Sequence, residues 1–395
     1  MGKFRTIIIG GGAAGIVAGI TAGRREKSVL ICERMPQLGR KILATGGGRC
    51  NLLNEQIDEF FYNPRARLLV KTIFSRFDFA NIKKFFSELG LEVYSENGRI
   101  FPRTNQSASV LKVLEMEVKR LSIPVELNFC VADIRESEGK FIVTSKGDKK
   151  IECSKLIIAS GGKSYPALGS DGSCYKFARQ FGHKIIEPVP VAVPILVKDP
   201  LCHLLQGQKI LAGVKSIIND KVTGEVCGDL LFTKYGLSGT SILDISEDIS
   251  IALNRHKEKN VIVSIDMIPF MSKDEFVNEL MRRINRGDQP EDLLSGILPE
   301  KFGGAFRDLL RARNIDKMGN ILKGKQFKVS GTRGWNEAEF TAGGIDTTEV
   351  NESTLESKLK RGIYFAGEIL DVQGKRGGYN LAWAWASGMV AGFNQ

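Results

Sequence analysis

The chain opens with an apolar run, Ile7-Ile8-Ile9. It breaks at Gly10-Gly11-Gly12-Ala13-Ala14-Gly15 and resumes as Ile16-Val17-Ala18. That order predicts a buried parallel strand, a tight turn and the start of a helix. Val29-Leu30-Ile31-Cys32 reads as a second strand, ending at Glu33. Residues 74–89 predict a helix. So do 110–121, where Val110, Leu111, Val113, Leu114, Val118 and Leu121 recur at helical spacing. Residues 125–131 and 141–145 predict strands, with a strand-to-strand turn beginning at Val131. The apolar stretch 155–159 predicts another strand, ending in Ser160-Gly161-Gly162.

The pattern changes after His183. Pro188, Pro190 and Pro194 punctuate the next apolar segment, and proline is poorly tolerated in a central parallel strand. Short antiparallel strands are expected from there to about residue 267. Residues 272–323 read as helical, with Ser272 and Glu275 spaced as a capping box and Phe276, Leu280 and Ile284 forming a stripe. The strand-like 326–330 closes this insertion. Residues 362–368 then read as a buried strand ending at Glu368. After a glycine-rich loop, 379–391 reads as a helix whose small residues (Ala382, Ala384, Ala386, Ser387, Gly388) permit close packing.

The expected fold class is therefore α/β: a discontinuous Rossmann-type domain with an inserted antiparallel, barrel-like β domain and a small helical domain. The expected boundaries are 1–188 with 340–395, 189–270 with 324–339, and 271–323.

Composition narrows the function classes. The 395 residues are 43% hydrophobic with no run of membrane-spanning length. Lys3 and Arg5 before the first apolar run imitate a signal peptide, but the glycines that follow spoil its apolar core. Seven cysteines, none in CxxC spacing, fit reduced thiols and a cytoplasmic location. Three scattered histidines argue against a metal site. The formal charge of +11 is compatible with nucleic acid, but the basic residues are dispersed. The expected partner is a small-molecule substrate, with no membrane and with nucleic acid disfavoured.

The glycine turn carries the chemistry. Gly10 permits the turn, Gly12 lets backbone approach a diphosphate, and Gly15 lets the helix pack on the strand. The helix N-terminus offers N–H groups and a positive dipole end. Glu33 offers a carboxylate to an adenosine ribose. A nicotinamide dehydrogenase has no evident use for the C-terminal strand–Glu368–loop–helix unit. A flavin dinucleotide does: Glu368 can face the ribityl chain, and the N–H groups near Asn380 and Leu381 can face the pyrimidine edge.

Gly39-Arg40-Lys41-Ile42-Leu43-Ala44-Thr45-Gly46-Gly47-Gly48-Arg49-Cys50-Asn51 resembles the signature of the HI0933-like flavoprotein family. Three further blocks resemble the same family: 160–166, 230–239 and 341–388. The resemblance runs from Ile7 to Gly388. It implies an FAD-binding Rossmann domain interrupted by β-barrel-like and helical domains, with Ala14, Glu33, Lys41, Asn51, Val131, Glu368, Asn380 and Leu381 on FAD. The candidate cofactor set is completed by Gly10, Gly12, Ala13, Gly15, Arg34, Gly47, Arg49, Ser160, Gly161 and Gly367. Lys41 is expected to supply a cation for phosphate, and Arg49 to meet substrate or flavin charge. Cys50 is expected to be a packing residue.

The implied activity is an FAD-dependent oxidoreductase, with NAD(P)H as a transient reductant and an unsaturated carbonyl compound as substrate. An amine oxidase producing peroxide and an RNA-associated flavoprotein are the alternatives. Tyr165, Lys234 and Tyr235 are the candidate proton donors. The chain departs from the family pattern at Lys234, where histidine is common, at Thr240, and at Gln373-Gly374-Lys375-Arg376. These departures bear on the substrate rather than on FAD.

Overall fold

The computed structural model of the chain describes residues 2–25 and 28–395. The chain divides into two compact units, Met1–Pro188 with Phe340–Gln395, and Val189–Glu339. In the first unit, strand β1 (Gly2–Ile9) is buried over its last four residues and passes through Gly10, at φ +107°, into helix α1 (Ala13–Gly23). A Cβ on Gly10 would lie 2.5 Å from the Ala159 carbonyl oxygen, and one on Gly15 only 1.8 Å from the Gly10 oxygen. Neither position has room for a side chain.

Strand β2 (Val29–Cys32) pairs parallel to β1. Helix α2 (Ser107–Arg120) follows, then β3 (Val125–Glu126), β4 (Val131–Ser137), β5 (Lys140–Ser145) and β6 (Lys150–Ile158). The sheet order is β3-β2-β1-β6-β5-β4. The β4–β5–β6 arm is antiparallel, whereas β3, β2, β1 and β6 run parallel.

Two expectations are corrected here. Residues 125–131 do not form one strand: Asn128 takes a positive φ and breaks the run, so Val131 opens β4 instead. Residues 74–89 are not one helix but the end of Arg67–Phe74 followed by Phe79–Glu88. Asp78 separates them by accepting the Asn81 N–H at 2.9 Å, an N-cap that starts a new helix.

The second unit is built on a closed antiparallel barrel. Its strands are β7 (Ile195–Val197), β8 (Lys209–Ile218), β9 (Lys221–Thr233), β10 (Gly236–Ser238), β11 (Val261–Asp266) and β12 (Lys325–Thr332), in the order β7-β10-β9-β8-β11-β12. β12 pairs with both β11 and β7 and so closes the ring. Helix α3 (Thr240–Ser250), which the pattern had not announced, buries Ile242, Ile245 and Ile249 in the same apolar cluster as the barrel strands. Helix α4 (Lys273–Arg286) carries the expected capping box: Ser272 Oγ accepts the Glu275 N–H at 3.2 Å and Glu275 Oε2 accepts the Ser272 N–H at 2.7 Å. Phe276 and Leu280 face the shared core.

The chain then returns to the first unit. β13 (Ile363–Phe365) pairs parallel to β6, and helix α5 (Tyr379–Asn394) lies along α1. Cβ atoms on Gly388 and Gly392 would stand 2.5 Å and 2.4 Å from the Ala14 and Ala18 carbonyl oxygens, so only glycine allows this approach. The first and last helices thus form one layer. Among the described residues, no helix is long and apolar enough to cross a membrane.

Candidate functional site

The site is built where β1, β2 and β6 end. Gly12, the N-cap of α1, makes no side-chain capping bond, so the first N–H groups of the helix lack intrahelical acceptors. A Cβ on Gly12 would meet nothing within 4 Å, in contrast to Gly10 and Gly15. Open space over a helix N-terminus is a cradle for an anion.

Glu33 follows directly on β2 and is buried. Its Oε2 accepts the Gly11 N–H at 2.6 Å and its Oε1 the Met35 N–H at 2.7 Å. Burial pushes its carboxyl above the ordinary range, and the two backbone N–H groups oppose that push. Glu33 therefore pins the glycine turn as well as facing the groove.

A cleft opens there, lined by Gly10, Glu33, Arg34, Val131, Ser160 and Asp171, among others. Five of its fourteen lining residues were candidates from the sequence. Five others, Asp171 among them, belong to a loop, residues 169–174, that sequence reasoning did not single out. Arg34 forms an ion pair with Asp171 and reaches Ser173 Oγ at 3.5 Å. Burial disfavours the Asp171 charge, but Arg34 and Ser173 hold its carboxyl below the usual range. The Gly-Ser-Asp-Gly-Ser run at 169–173 was the available signal: two glycines at positive φ around one acid.

The C-terminal block approaches from the other side. A Cβ on Gly367 would lie 2.8 Å from the Ala14 Cβ, which brings Ala13–Ala14 and Gly367 together. The Gly367 N–H donates to Ser387 Oγ at 2.9 Å and its carbonyl accepts from Trp383 Nε1 at 3.1 Å. Gly161, at φ +76°, has Ser170 Oγ and Glu368 Oε2 as its neighbours. With its amide oriented to satisfy both neighbours, Asn51 accepts the Gly378 N–H at 3.1 Å and donates to Leu53 O at 3.1 Å, fixing the entry to α5. Asn380 clamps the preceding loop through Gly374, accepting its N–H at 2.9 Å and donating to its oxygen at 2.8 Å. The first intrahelical bond of α5 runs from Ala382 N to Gly378 O, so the N–H groups of Tyr379, Asn380 and Leu381 have no intrahelical acceptor.

Three candidates lie elsewhere than expected or are otherwise engaged. Lys41 Nζ contacts Ser164 Oγ at 2.5 Å and Glu368 Oε2 at 2.6 Å rather than standing alone for a phosphate. Arg49 is bound to Tyr94 Oη (2.7 Å) and Glu96 Oε2 (2.9 Å) and lies over the Phe101 ring at 4.1 Å. Its guanidinium serves the hairpin of Val93–Glu96 and Arg99–Pro102. Gly47, at φ +64°, is exposed with open space around its α-carbon. Cys50 is fully buried, a packing residue, and every described cysteine is free.

The proposed proton donors divide between the units. Tyr165 sits at positive φ in the first unit. Lys234 and Tyr235 form the turn between β9 and β10 in the second; Lys234 is exposed and Tyr235 packs under the Arg333 guanidinium at 4.7 Å.

The model of the HI0933-like protein Rossmann domain matches residues 4–394 of this chain. Over 400 residues the chain is 35% identical to a 3-dehydro-bile acid delta(4,6)-reductase of Clostridium scindens, covering 98% of this chain and 97% of that one. It is 31% identical to a ribosomal RNA dihydrouridine synthase of Escherichia coli, covering 98% and 96%. In fold it is similar to the open conformation of a flavocytochrome c3 fumarate reductase, with TM-score 0.51, 15% identity, and coverage of 100% of this chain and 78% of that one.

Proposed function

The chain belongs to the HI0933-like family of FAD-dependent oxidoreductases, and from that premise we propose that it reduces a carbon–carbon double bond conjugated to a carbonyl, with electrons from NAD(P)H. One observation carries the proposal. The two relatives named above act on different molecules, yet both names describe saturation of such a bond: the delta(4,6) unsaturation of a 3-dehydro-bile acid, and the double bond whose loss makes dihydrouridine.

The residues present fit FAD. The open cradle at Gly12 and the N–H groups of Ala13 and Ala14 suit its diphosphate, with Gly10 and Gly15 shaping the turn. Glu33 suits the adenosine ribose, and Arg34, Val131 and Ser160 suit the adenine end of the same cleft. Gly161, Gly367, Lys41, Glu368 and Asn51 suit the ribityl stretch. The first-turn N–H groups of α5, at Asn380 and Leu381, suit the edge of the ring that gains negative charge on reduction. When bound and reduced, FAD would supply the hydride needed at the carbon β to the carbonyl, the α carbon taking a proton. Tyr165, in the same unit as the groove, is the side chain proposed to hold that proton.

The favoured substrate is a small conjugated ketone. A uracil base within RNA is a second reading, favoured by the charge. Basic and acidic residues nearly balance in Val189–Glu339, so almost the whole +11 lies on the first unit. Turnover of FAD-loaded protein with NADH or NADPH should be followed on a steroid 4,6-dien-3-one and on a uridine-containing ribosomal RNA fragment, with products read by mass. A product gaining two hydrogens identifies the substrate class. Peroxide formation with amines and no gain of hydrogen by either substrate would replace the proposal with the oxidase alternative.

A further inference from the structure

In the first unit, a short turn displays an aromatic ring that folding has not buried. Asp58 Oδ1 accepts the Phe60 N–H at 2.8 Å and starts the turn Glu59–Phe61. Tyr62, just after it, is buried, and its Oη donates to Tyr379 O at 2.7 Å. Phe60 is 65% exposed, with the Arg67 guanidinium backing its ring at 5.1 Å from the centroid. Phe61 stacks on Tyr379 with 4.5 Å between centroids, and its carbonyl accepts the Lys375 N–H at 2.9 Å. The turn is thereby tied to the loop that leads into α5. Two exposed cations stand in this neighbourhood. Lys375 Nζ lies 5.8 Å from the Phe61 ring centroid, and Arg99 Nε would lie 3.6 Å from a Cβ on Gly377. Among the described residues, no ion pair engages either of them. The nearby acids are already taken: Glu59 by Lys71 at 3.6 Å and Glu96 by Arg49 at 2.9 Å.

We propose that Phe60, Lys375 and Arg99 form the docking surface for the reductant, a nicotinamide dinucleotide, with a base stacked on Phe60 and the diphosphate on Lys375 and Arg99. The inference rests on the NAD(P)H-driven reduction argued above and gives that reductant a place. The glycine turn at Gly10–Gly15 serves one dinucleotide, so a second must be met elsewhere. A displayed ring beside uncompensated cations carries the two kinds of contact that a nucleotide needs, stacking and phosphate charge. A single nucleic-acid strand is held by the same contacts, repeated along its length. Here one ring and two cations match one base and one diphosphate. The surface also adjoins the loop entering α5, whose first N–H groups suit the flavin edge.

Anaerobic stopped-flow bleaching of FAD-loaded protein, followed against NADH and NADPH concentration, tests it by separating the Kd of the dinucleotide from the limiting rate. Phe60→Ala should raise that Kd about tenfold, the scale of one stacked base. Lys375→Gln should raise it about threefold and flatten its increase with salt, a second variant that stands if Phe60→Ala does not fold. The limiting rate, the FAD content and the melting temperature should stay as in wild type. A Kd unchanged in both variants would overturn the proposal. So would an unchanged Kd accompanied by lost binding of a uridine-containing RNA, which would assign the surface to a strand instead. Wild-type protein that holds FAD but is bleached by neither dinucleotide would overturn the reductant reading and this surface with it. Wild-type protein that binds no FAD would overturn the FAD reading, a distinguishable failure.

Discussion

At the scale of single residues, the glycine turn separates two roles that the motif merges. Gly15→Ala drives a methyl group into the Gly10 carbonyl and should cost about 3 kcal/mol or more, seen as a lowered melting temperature. Gly12→Ala meets open space at an ordinary φ of −84°, so the fold should keep its melting temperature while FAD binding is lost. Glu33 gives a pH prediction. A carboxyl whose pKa is raised on folding contributes stability below its unfolded value and loses it as pH climbs through the folded one. Glu33 is raised from 4.5 by burial. The melting temperature of wild type relative to Glu33→Gln should therefore fall as pH rises above 4.5 and then level off. A difference independent of pH would contradict the assignment. These residues were legible because backbone sterics are local: Gly10, Gly12, Gly15 and Glu33 announce themselves by spacing. Arg49 did not, because its partners Tyr94 and Glu96 come from a hairpin with no strong pattern of its own.

At the scale of elements, the loop at 169–174 was illegible for a related reason. It carries no periodicity, and Asp171 gains meaning only when Arg34 reaches it across the cleft. If the pair closes the adenine end, Asp171→Asn should speed FAD release about tenfold in stopped-flow displacement and leave the apo melting temperature unchanged. An unchanged release rate would reduce the pair to a surface contact. Helix α3 was missed because isoleucine and serine, both weak helix formers, fill it, and packing against the barrel decides its state. Helix α4 was legible from its cap. Ser272→Ala should cost about 1 kcal/mol in thermal unfolding and leave FAD affinity unaltered.

At the scale of the whole molecule, the chain ends form one unit because α5 lies on α1 through Gly388 and Gly392, while β13 joins the same sheet as β1. The sequence pattern showed the α/β alternation stopping near His183 and returning near residue 340. Which helix the last one packs on was not readable, since a stripe of small residues names no partner. The concentration of charge on the first unit was equally invisible in a total of +11. The account joins a flavin groove in that unit to reduction of a conjugated double bond, and a single turnover tests this union most directly. Photoreduced, FAD-loaded protein would be mixed without oxygen with a 4,6-dien-3-one or with uridine-containing RNA, and the flavin absorbance followed. The account predicts that the yellow colour returns with one of them, one equivalent of saturated product per flavin. Reduced flavin that stays bleached with every conjugated carbonyl offered, yet reoxidises at once in air, would contradict it.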